Sequence, residues 1–172
     1  EVWAESWQRH VANQLHDMYT FIRILPEQGQ MSFWEELGDP VHSTSGLMVA
    51  SRYPLREQHF EMYHGAVKPE DQWSQKGAFR FKLRLPVSEH RAIDFAVGTT
   101  HAFTRVQPNA LDNIKTLAAN TFGHFPGCDA LLIGDFNIHV HRNAGEEYEQ
   151  LRTILSTWGA EDVINRLEPN EY

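Results

Sequence analysis

Residues 131–137 read Leu-Leu-Ile-Gly-Asp-Phe-Asn, and this segment is the strongest indication of the fold. Its three consecutive aliphatic residues predict a strand that is buried on both faces of a sheet. Gly134, which has no Cβ, allows the backbone to turn or to approach a ligand closely. Asp135 and Asn137 are two residues apart, so in an extended chain a carboxylate and an amide face the same spot. Strand ends of this kind often carry chemistry in α/β proteins, whereas an ordinary Asp/Asn turn is the alternative interpretation.

A second strand-like segment, residues 92–100, ends directly before His101. Each of the two predicted strands therefore has a polar side chain that can take part in catalysis at one end, which strengthens the functional interpretation. We therefore predict that His101, Asp135 and Asn137 converge on one site, although they are far apart in the sequence. Cys128, which precedes the later strand, is interpreted as a small buried residue and not as a nucleophile.

The remaining pattern predicts a mixed α/β sandwich and not a regular βαβ fold, because strand-rich hairpins precede a strand–helix–strand–helix passage. In the strand predicted over 78–85, apolar and basic residues alternate, which indicates one buried and one solvated face. The predicted helices cover 4–16, 107–122 and 146–158, and the further strands cover 19–25, 45–51, 56–63 and 129–134. A hairpin-like connection is predicted over 86–91, a turn over 71–74, and loops over 27–43 and 138–145. The apolar residues of the first of these loops either fold back onto the core or form an exposed patch for a partner or lipid: Met31, Phe33 and Trp34.

Composition indicates one domain over residues 1–172, because 172 residues with a 41% hydrophobic fraction can bury a substantial core. The formal net charge is −8 and no Lys/Arg-rich run occurs, which is untypical of nucleic-acid binders. A single cysteine excludes an internal disulfide. No apolar stretch reaches the roughly 18 residues of a membrane span. Since the chain begins with Glu1 and not with Met, we expect it to be a piece of a longer protein.

The order Thr100-His101, then Gly134-Asp135-Phe136-Asn137, resembles the endonuclease/exonuclease/phosphatase superfamily. Two further segments are similar to neutral sphingomyelinases within it. Residues 45–55 match their run of a glycine, a buried strand, Ser-Lys/Arg, an aromatic residue, Pro and an aliphatic residue. Residues 71–77 match their short Asp-to-Lys-Gly loop. The resemblance covers essentially the whole chain and implies a DNase I-like four-layer α/β sandwich, in which helices flank two packed mixed sheets, without its N- and C-terminal strands.

This resemblance implies a phosphodiesterase that depends on Mg²⁺, or on another divalent cation such as Mn²⁺ or Co²⁺. Its implied substrate is sphingomyelin or a related phospholipid, presented at a membrane surface. The resemblance further implies a role for each of six residues. Glu1 would bind the metal, the substrate would contact Lys76 and Asp71, and the catalytic residues would be His101, Asp135 and Asn137. Glu1 is accordingly expected to share one pocket with the three catalytic residues. These assignments agree with the preference of Mg²⁺ for hard oxygen ligands and with the donors that a phosphoryl oxygen needs.

The chain departs from the family pattern at both ends. The family has an Asn-bearing strand before its Gln-Glu motif, and it ends with an Asp followed by an Asp-His pair whose His is the general base. We expect a longer native chain to supply these groups, and we expect the 172 residues alone to lack efficient turnover. His139 and His141 do not occupy the matching position and are interpreted as solvated loop residues.

Three functional classes remain open at this point. The leading one is a sphingomyelinase-type phosphodiesterase, and the acidic net charge favours a lipid or small-molecule substrate over nucleic acid. A nuclease or another phosphoesterase on the same fold is the second, because fold alone does not separate these activities. The third is a catalytically dead interaction domain. An Asp-His pair further along the native chain would favour the enzymes over the dead domain.

Overall fold

The computed structural model describes residues 5–25, 45–64, 75–103, 109–138 and 145–163. Within these ranges the chain has an α/β structure with a two-stranded sheet, a four-stranded sheet and three α-helices. The predicted α/β class is confirmed at this level. The predicted loop over 27–43, the turn over 71–74 and residues 139–144 lie outside the described ranges.

The two-stranded sheet pairs β1 (Phe21–Ile24) with β2 (Met48–Ser51) in antiparallel register. Helix α1 (Glu5–Leu15) contacts both strands. Its predicted position is confirmed, but its buried side differs from a simple apolar stripe. Trp7 is 63% exposed, whereas Gln8 is fully buried and donates from Nε2 to the carbonyl of Leu47 at 3.4 Å.

The four-stranded sheet contains β3 (Arg56–Met62), β4 (Gly77–Ser88), β5 (Arg91–His101) and β6 (Asp129–Asp135), in that order. Strand β4 pairs antiparallel with both β3 and β5, while β5 and β6 are parallel. The alternation predicted for 78–85 is confirmed, since Phe79 and Phe81 are buried and Arg84 is exposed. The hairpin connection predicted over 86–91 is confirmed, but its bounds are too wide: strand pairing continues to Ser88 and resumes at Arg91, so the turn is shorter than expected.

The two sheets share one hydrophobic cluster. Leu25 and Leu55, which follow the strands of the first sheet, pack there against three residues on one face of the second sheet: Phe79, Phe81 and Val97. On the other face of the larger sheet lie α2 (Asn109–Ala118) and a π-helical turn (Ala119–Gly123). Helix α3 (Glu146–Ser156) packs against α2 through Leu111, Ile114 and Leu151. Both predicted helices therefore exist. Their α-helical parts end at Ala118 and Ser156, which is before the predicted ends at 122 and 158.

The prediction that residues 131–134 are buried on both faces is wrong. Among the described strands β6 lies at the edge of its sheet and pairs with β5 alone. Leu131 and Ile133 are 40% and 54% exposed, whereas Leu132 packs into the cluster that includes Leu117 of α2. The helices thus cover one face of β6, and the two-stranded sheet covers β5 on the opposite face without burying Leu131 or Ile133. Cys128, predicted to be buried, is half-buried.

No α-helix within the described ranges combines the length and the apolar character that crossing a membrane requires.

Candidate functional site

The two predicted strand ends meet at one edge of the four-stranded sheet. Strands β5 and β6 are parallel, and their last residues, His101 and Asp135, are partners in the register. Because the carboxyl ends of parallel strands reach the same edge, the two side chains lie close together. Nε2 of His101 is 3.8 Å from Oδ2 of Asp135. The imidazole and the carboxylate that the sequence predicted to converge do so in the structure.

A turn after β6 brings the third predicted residue, Asn137, to the same place. The backbone N–H of Asn137 donates to Oδ1 of Asp135 at 2.8 Å, which closes an Asx turn. The φ angle of Asn137 is +53°, a left-handed conformation that Asn adopts more readily than most residues. Its side-chain Nδ2 then donates to the carbonyl of Ala102 at 2.8 Å, directly after β5. The alternative interpretation as an Asp/Asn turn is therefore correct for the backbone, and this turn is also what assembles the site.

Gly134 permits the close approach of the two strands just before the site. Its φ angle is +144°, and a Cβ at this position would lie 2.1 Å from the carbonyl oxygen of Thr100. The backbone nitrogen of Thr100 would be 2.8 Å from the same Cβ. Any side chain at Gly134 would therefore separate β6 from β5 and displace Asp135 relative to His101.

His101 is deeply buried, and Asp135 opens the site to solvent. The side chains are 4% and 45% exposed, respectively. On the side away from Asp135, Nδ1 of His101 is 3.2 Å from the carbonyl oxygen of Ser45. A carbonyl accepts hydrogen bonds and cannot donate them, so Nδ1 carries the hydrogen in this contact. The Nε2 atom therefore faces the exposed carboxylate.

Lys76 also belongs to this cluster, but in a buried position. The residue is 3% exposed, and its Nζ donates to the carbonyl of Ala102 at 3.1 Å. Asn137 donates to the same carbonyl, and the N–H of Ala102 donates to the backbone carbonyl of Asp135 at 2.9 Å. Ala102 thus connects three of the predicted site residues. The substrate-contacting role predicted for Lys76 stays a prediction, and in this conformation its ammonium group contacts backbone inside the protein.

A buried polar network, which sequence reasoning did not find, supports the end of β5. The hydroxyls of Tyr63 and Thr100 are 2.7 Å apart, and Thr100 donates to the carbonyl of Gly77 at 2.9 Å. The hydroxyl of Tyr63 is also 3.2 Å from the carbonyl of Asn113, whose side chain accepts the N–H of Phe103 at 3.1 Å. Burial raises the pKa of Tyr63 far above its usual value, so the phenol stays protonated as a donor. No local pattern in the sequence marks these residues as partners.

Two predicted site residues, Glu1 and Asp71, lie outside the described ranges. Within those ranges no group of three or more His, Cys, Asp or Glu residues could hold a metal ion. The described part of the site contributes one exposed carboxylate, that of Asp135. This is compatible with magnesium, which typically binds through one or two carboxylates and completes its coordination with water and substrate phosphate.

Comparison with known proteins gives no family assignment. No protein-family model matches the chain, and a search of the curated proteins finds no similar sequence.

Proposed function

We propose that this chain belongs to a metal-dependent phosphodiesterase of the sphingomyelinase type. The observation that carries the proposal is the meeting of His101, Asp135 and Asn137 at the carboxyl ends of two parallel strands. In the proposed reaction a water molecule attacks phosphorus, the bond from phosphorus to the leaving oxygen breaks, and the leaving alcohol takes up a proton. Sphingomyelin or a related phospholipid at a membrane surface is the proposed substrate.

Each of the three side chains has a distinct proposed role. Asp135 presents an exposed carboxylate that can accept a hydrogen bond from the attacking water and orient it. Asn137 uses one of its two amide hydrogens on the carbonyl of Ala102, and the other remains for a phosphoryl oxygen. His101 directs Nε2 towards Asp135 and can donate from that atom, when protonated, to the charge that develops on phosphorus-bound oxygen.

A divalent cation is part of the proposal. Mg²⁺, Mn²⁺ or Co²⁺ would supply Lewis-acid stabilisation of the phosphoryl oxygens and of the leaving group. By resemblance to the neutral sphingomyelinases, Glu1 is the proposed protein ligand. The preference of magnesium for oxygen ligands is consistent with that assignment.

The proposed fold is the DNase I-like four-layer sandwich. Three contacts in the described residues support it: α1 packs on the smaller sheet, the two sheets share one core cluster, and α2 packs on the larger sheet. The layers would then follow one another as helix, sheet, sheet and helix, with further strands completing the sheets.

The charge distribution supports a lipid substrate over nucleic acid. The net charge is −8, and the basic residues that alternate along β4 are engaged within the protein. Lys82 donates to Glu57 at 2.8 Å, which raises the pKa of Lys82 and lowers that of Glu57. Arg84 lies 3.9 Å from Asp94, and the guanidinium of Arg80 lies over the ring of Phe125. The contiguous basic surface that a nucleic-acid phosphate backbone requires is not formed by this strand.

A substrate panel tests the proposal on the longest native chain that contains these residues. Sphingomyelin, lysophospholipid, phosphoinositides and plasmid DNA are each assayed with Mg²⁺ and with a chelator. We expect sphingomyelin hydrolysis that the chelator abolishes. Plasmid cleavage in preference to every lipid would replace the proposal with a nuclease, and the absence of any hydrolysis would favour an interaction domain.

Asp135→Asn and Asp129→Asn form a matched pair for the same assay. Both aspartates lie on β6, one at each end of the strand, and both are exposed. Only Asp135 is near His101, so only its substitution should abolish hydrolysis. Equal losses in the two variants would show that the assay reports on the strand and not on the site.

A further inference from the structure

The Nδ1 atom of His101 contacts the segment that leads into β2 of the smaller sheet. The contact of its Nδ1 is with the carbonyl of Ser45, three residues before β2, at 3.2 Å. His101 itself lies at the end of β5 in the larger sheet. One hydrogen bond therefore connects a predicted catalytic side chain to the segment that leads into the other sheet, on the side opposite Asp135.

Ser45 is held in place by three hydrogen bonds of its own. Its N–H and its hydroxyl both donate to the carbonyl of Leu25, at 3.3 Å and 2.6 Å. Its Oγ accepts the N–H of Leu47 at 3.1 Å, which uses the hydroxyl as donor and acceptor at once. The residue is fully buried. Because the side chain fixes the backbone, the position of the Ser45 carbonyl depends on the Ser45 hydroxyl.

We propose that Ser45 is a positioning residue that fixes the ring orientation and the tautomer of His101. Its carbonyl requires the hydrogen on Nδ1, so the neutral ring keeps an unprotonated Nε2 on the side of Asp135. Which ring nitrogen carries the proton decides what a histidine can do in catalysis, and a single orienting partner commonly decides it. This inference rests on the proposed hydrolase function for its catalytic meaning, but the tautomer itself is measurable without turnover.

Ser45→Ala removes the hydroxyl and leaves the carbonyl in the chain. The substitution removes both bonds of the hydroxyl, those to Leu25 and Leu47, and leaves only the longer bond from the Ser45 N–H to Leu25. The Ser45 carbonyl is then held less firmly against His101. Ser51→Ala is the matched control at the other end of β2. The Oγ of Ser51 likewise accepts an N–H two residues on, that of Tyr53 at 3.0 Å, and Ser51 is also buried.

The first measurement is the ¹⁵N spectrum of the imidazole rings in the longest native chain. The chain contains 10 histidines, and His101→Gln identifies the His101 signals by their loss. We expect Nδ1 to be the protonated nitrogen in the wild type and in Ser51→Ala, and a mixture of both tautomers in Ser45→Ala. Ser45→Thr, which keeps the hydroxyl, should restore the wild-type signals. A neutral wild-type ring protonated on Nε2 alone, with no hydrogen on Nδ1, would overturn the inference, even if Ser45→Ala does not fold.

The second measurement is sphingomyelin hydrolysis by the same proteins. We expect Ser45→Ala to lower kcat by roughly 10- to 100-fold with little change in KM, the scale for removing a partner that orients a functional histidine. Unchanged kcat in a variant with mixed tautomers would refute the positioning role. If the wild type hydrolyses no substrate, the proposed function fails, and the ¹⁵N spectra still decide whether Ser45 sets the tautomer. If turnover is normal and the Ser45→Ala spectrum is that of the wild type, the positioning inference fails alone.

Discussion

Gly134→Ala should be among the most damaging single substitutions in the described part of the chain. The new Cβ would lie 2.1 Å, 2.8 Å and 3.0 Å from the O, N and C atoms of Thr100, which are backbone atoms of β5. They cannot move aside without breaking the register between β5 and β6. Overpacking of this kind costs about 1–3 kcal/mol, and a residue held in a rarely populated conformation costs about 1–3 kcal/mol. The expected loss is therefore about 2–6 kcal/mol, against a total stability of about 5–15 kcal/mol for a typical domain.

Urea unfolding followed by circular dichroism measures this loss, with Gly127→Ala as the control. Gly127 also has a positive φ angle, +78°, but a Cβ there would meet nothing within 4 Å. Only the left-handed penalty of about 1–2 kcal/mol should apply to it. If the two variants have the same free energy of unfolding, the close approach of β6 to Thr100 is wrong, and so is the geometry that places Asp135 beside His101.

Two further substitutions test the site and the network beneath it. Asn137→Ala should lower kcat by about 10²–10³, the scale for losing one donor to a developing oxyanion, and a kcat within twofold of the wild type would exclude that role. Tyr63→Phe should destabilise the fold by about 1–2 kcal/mol at neutral pH, because it leaves the buried carbonyl of Asn113 without this donor. The folded-state pKa of Tyr63 is raised above its ordinary 10.0, so wild-type stability should fall as pH rises beyond that value, where only the unfolded chain ionises. Tyr63→Phe should weaken that alkaline fall in a series of thermal melts, and an identical slope in both proteins would show that the phenol is not buried.

Local pattern predicted the elements and the three-residue constellation. The alternation along β4 marked its buried face because side chains in a strand alternate between the two faces of a sheet. The two polar strand ends predicted that His101 would meet Asp135. This prediction is confirmed because β5 and β6 are parallel neighbours in the structure, which brings their carboxyl ends to the same edge of the sheet.

The remainder depended on contacts that no local pattern encodes. Three aliphatic residues in a row predicted burial of β6 on both faces, yet burial is set by what packs on each face, and Leu131 and Ile133 remain exposed. For Ser45 and Tyr63 the local sequence predicts only a place in a strand, because their hydrogen-bond partners are 56 and 37 positions away in the sequence. The buried position of Lys76 has the same origin, because its Nζ contacts a carbonyl after a different strand.

The proposed function requires the side chains at the ends of β5 and β6 to perform metal-dependent phosphodiester hydrolysis. Its most direct test is the rate at which the longest native chain releases phosphocholine from sphingomyelin, with Mg²⁺ and with a chelator, for the wild type and for Asp135→Asn. We predict Mg²⁺-dependent release by the wild type and a loss of about 10² or more in the nearly isosteric variant, with an unchanged melting temperature. Release by Asp135→Asn at the wild-type rate would contradict the claim.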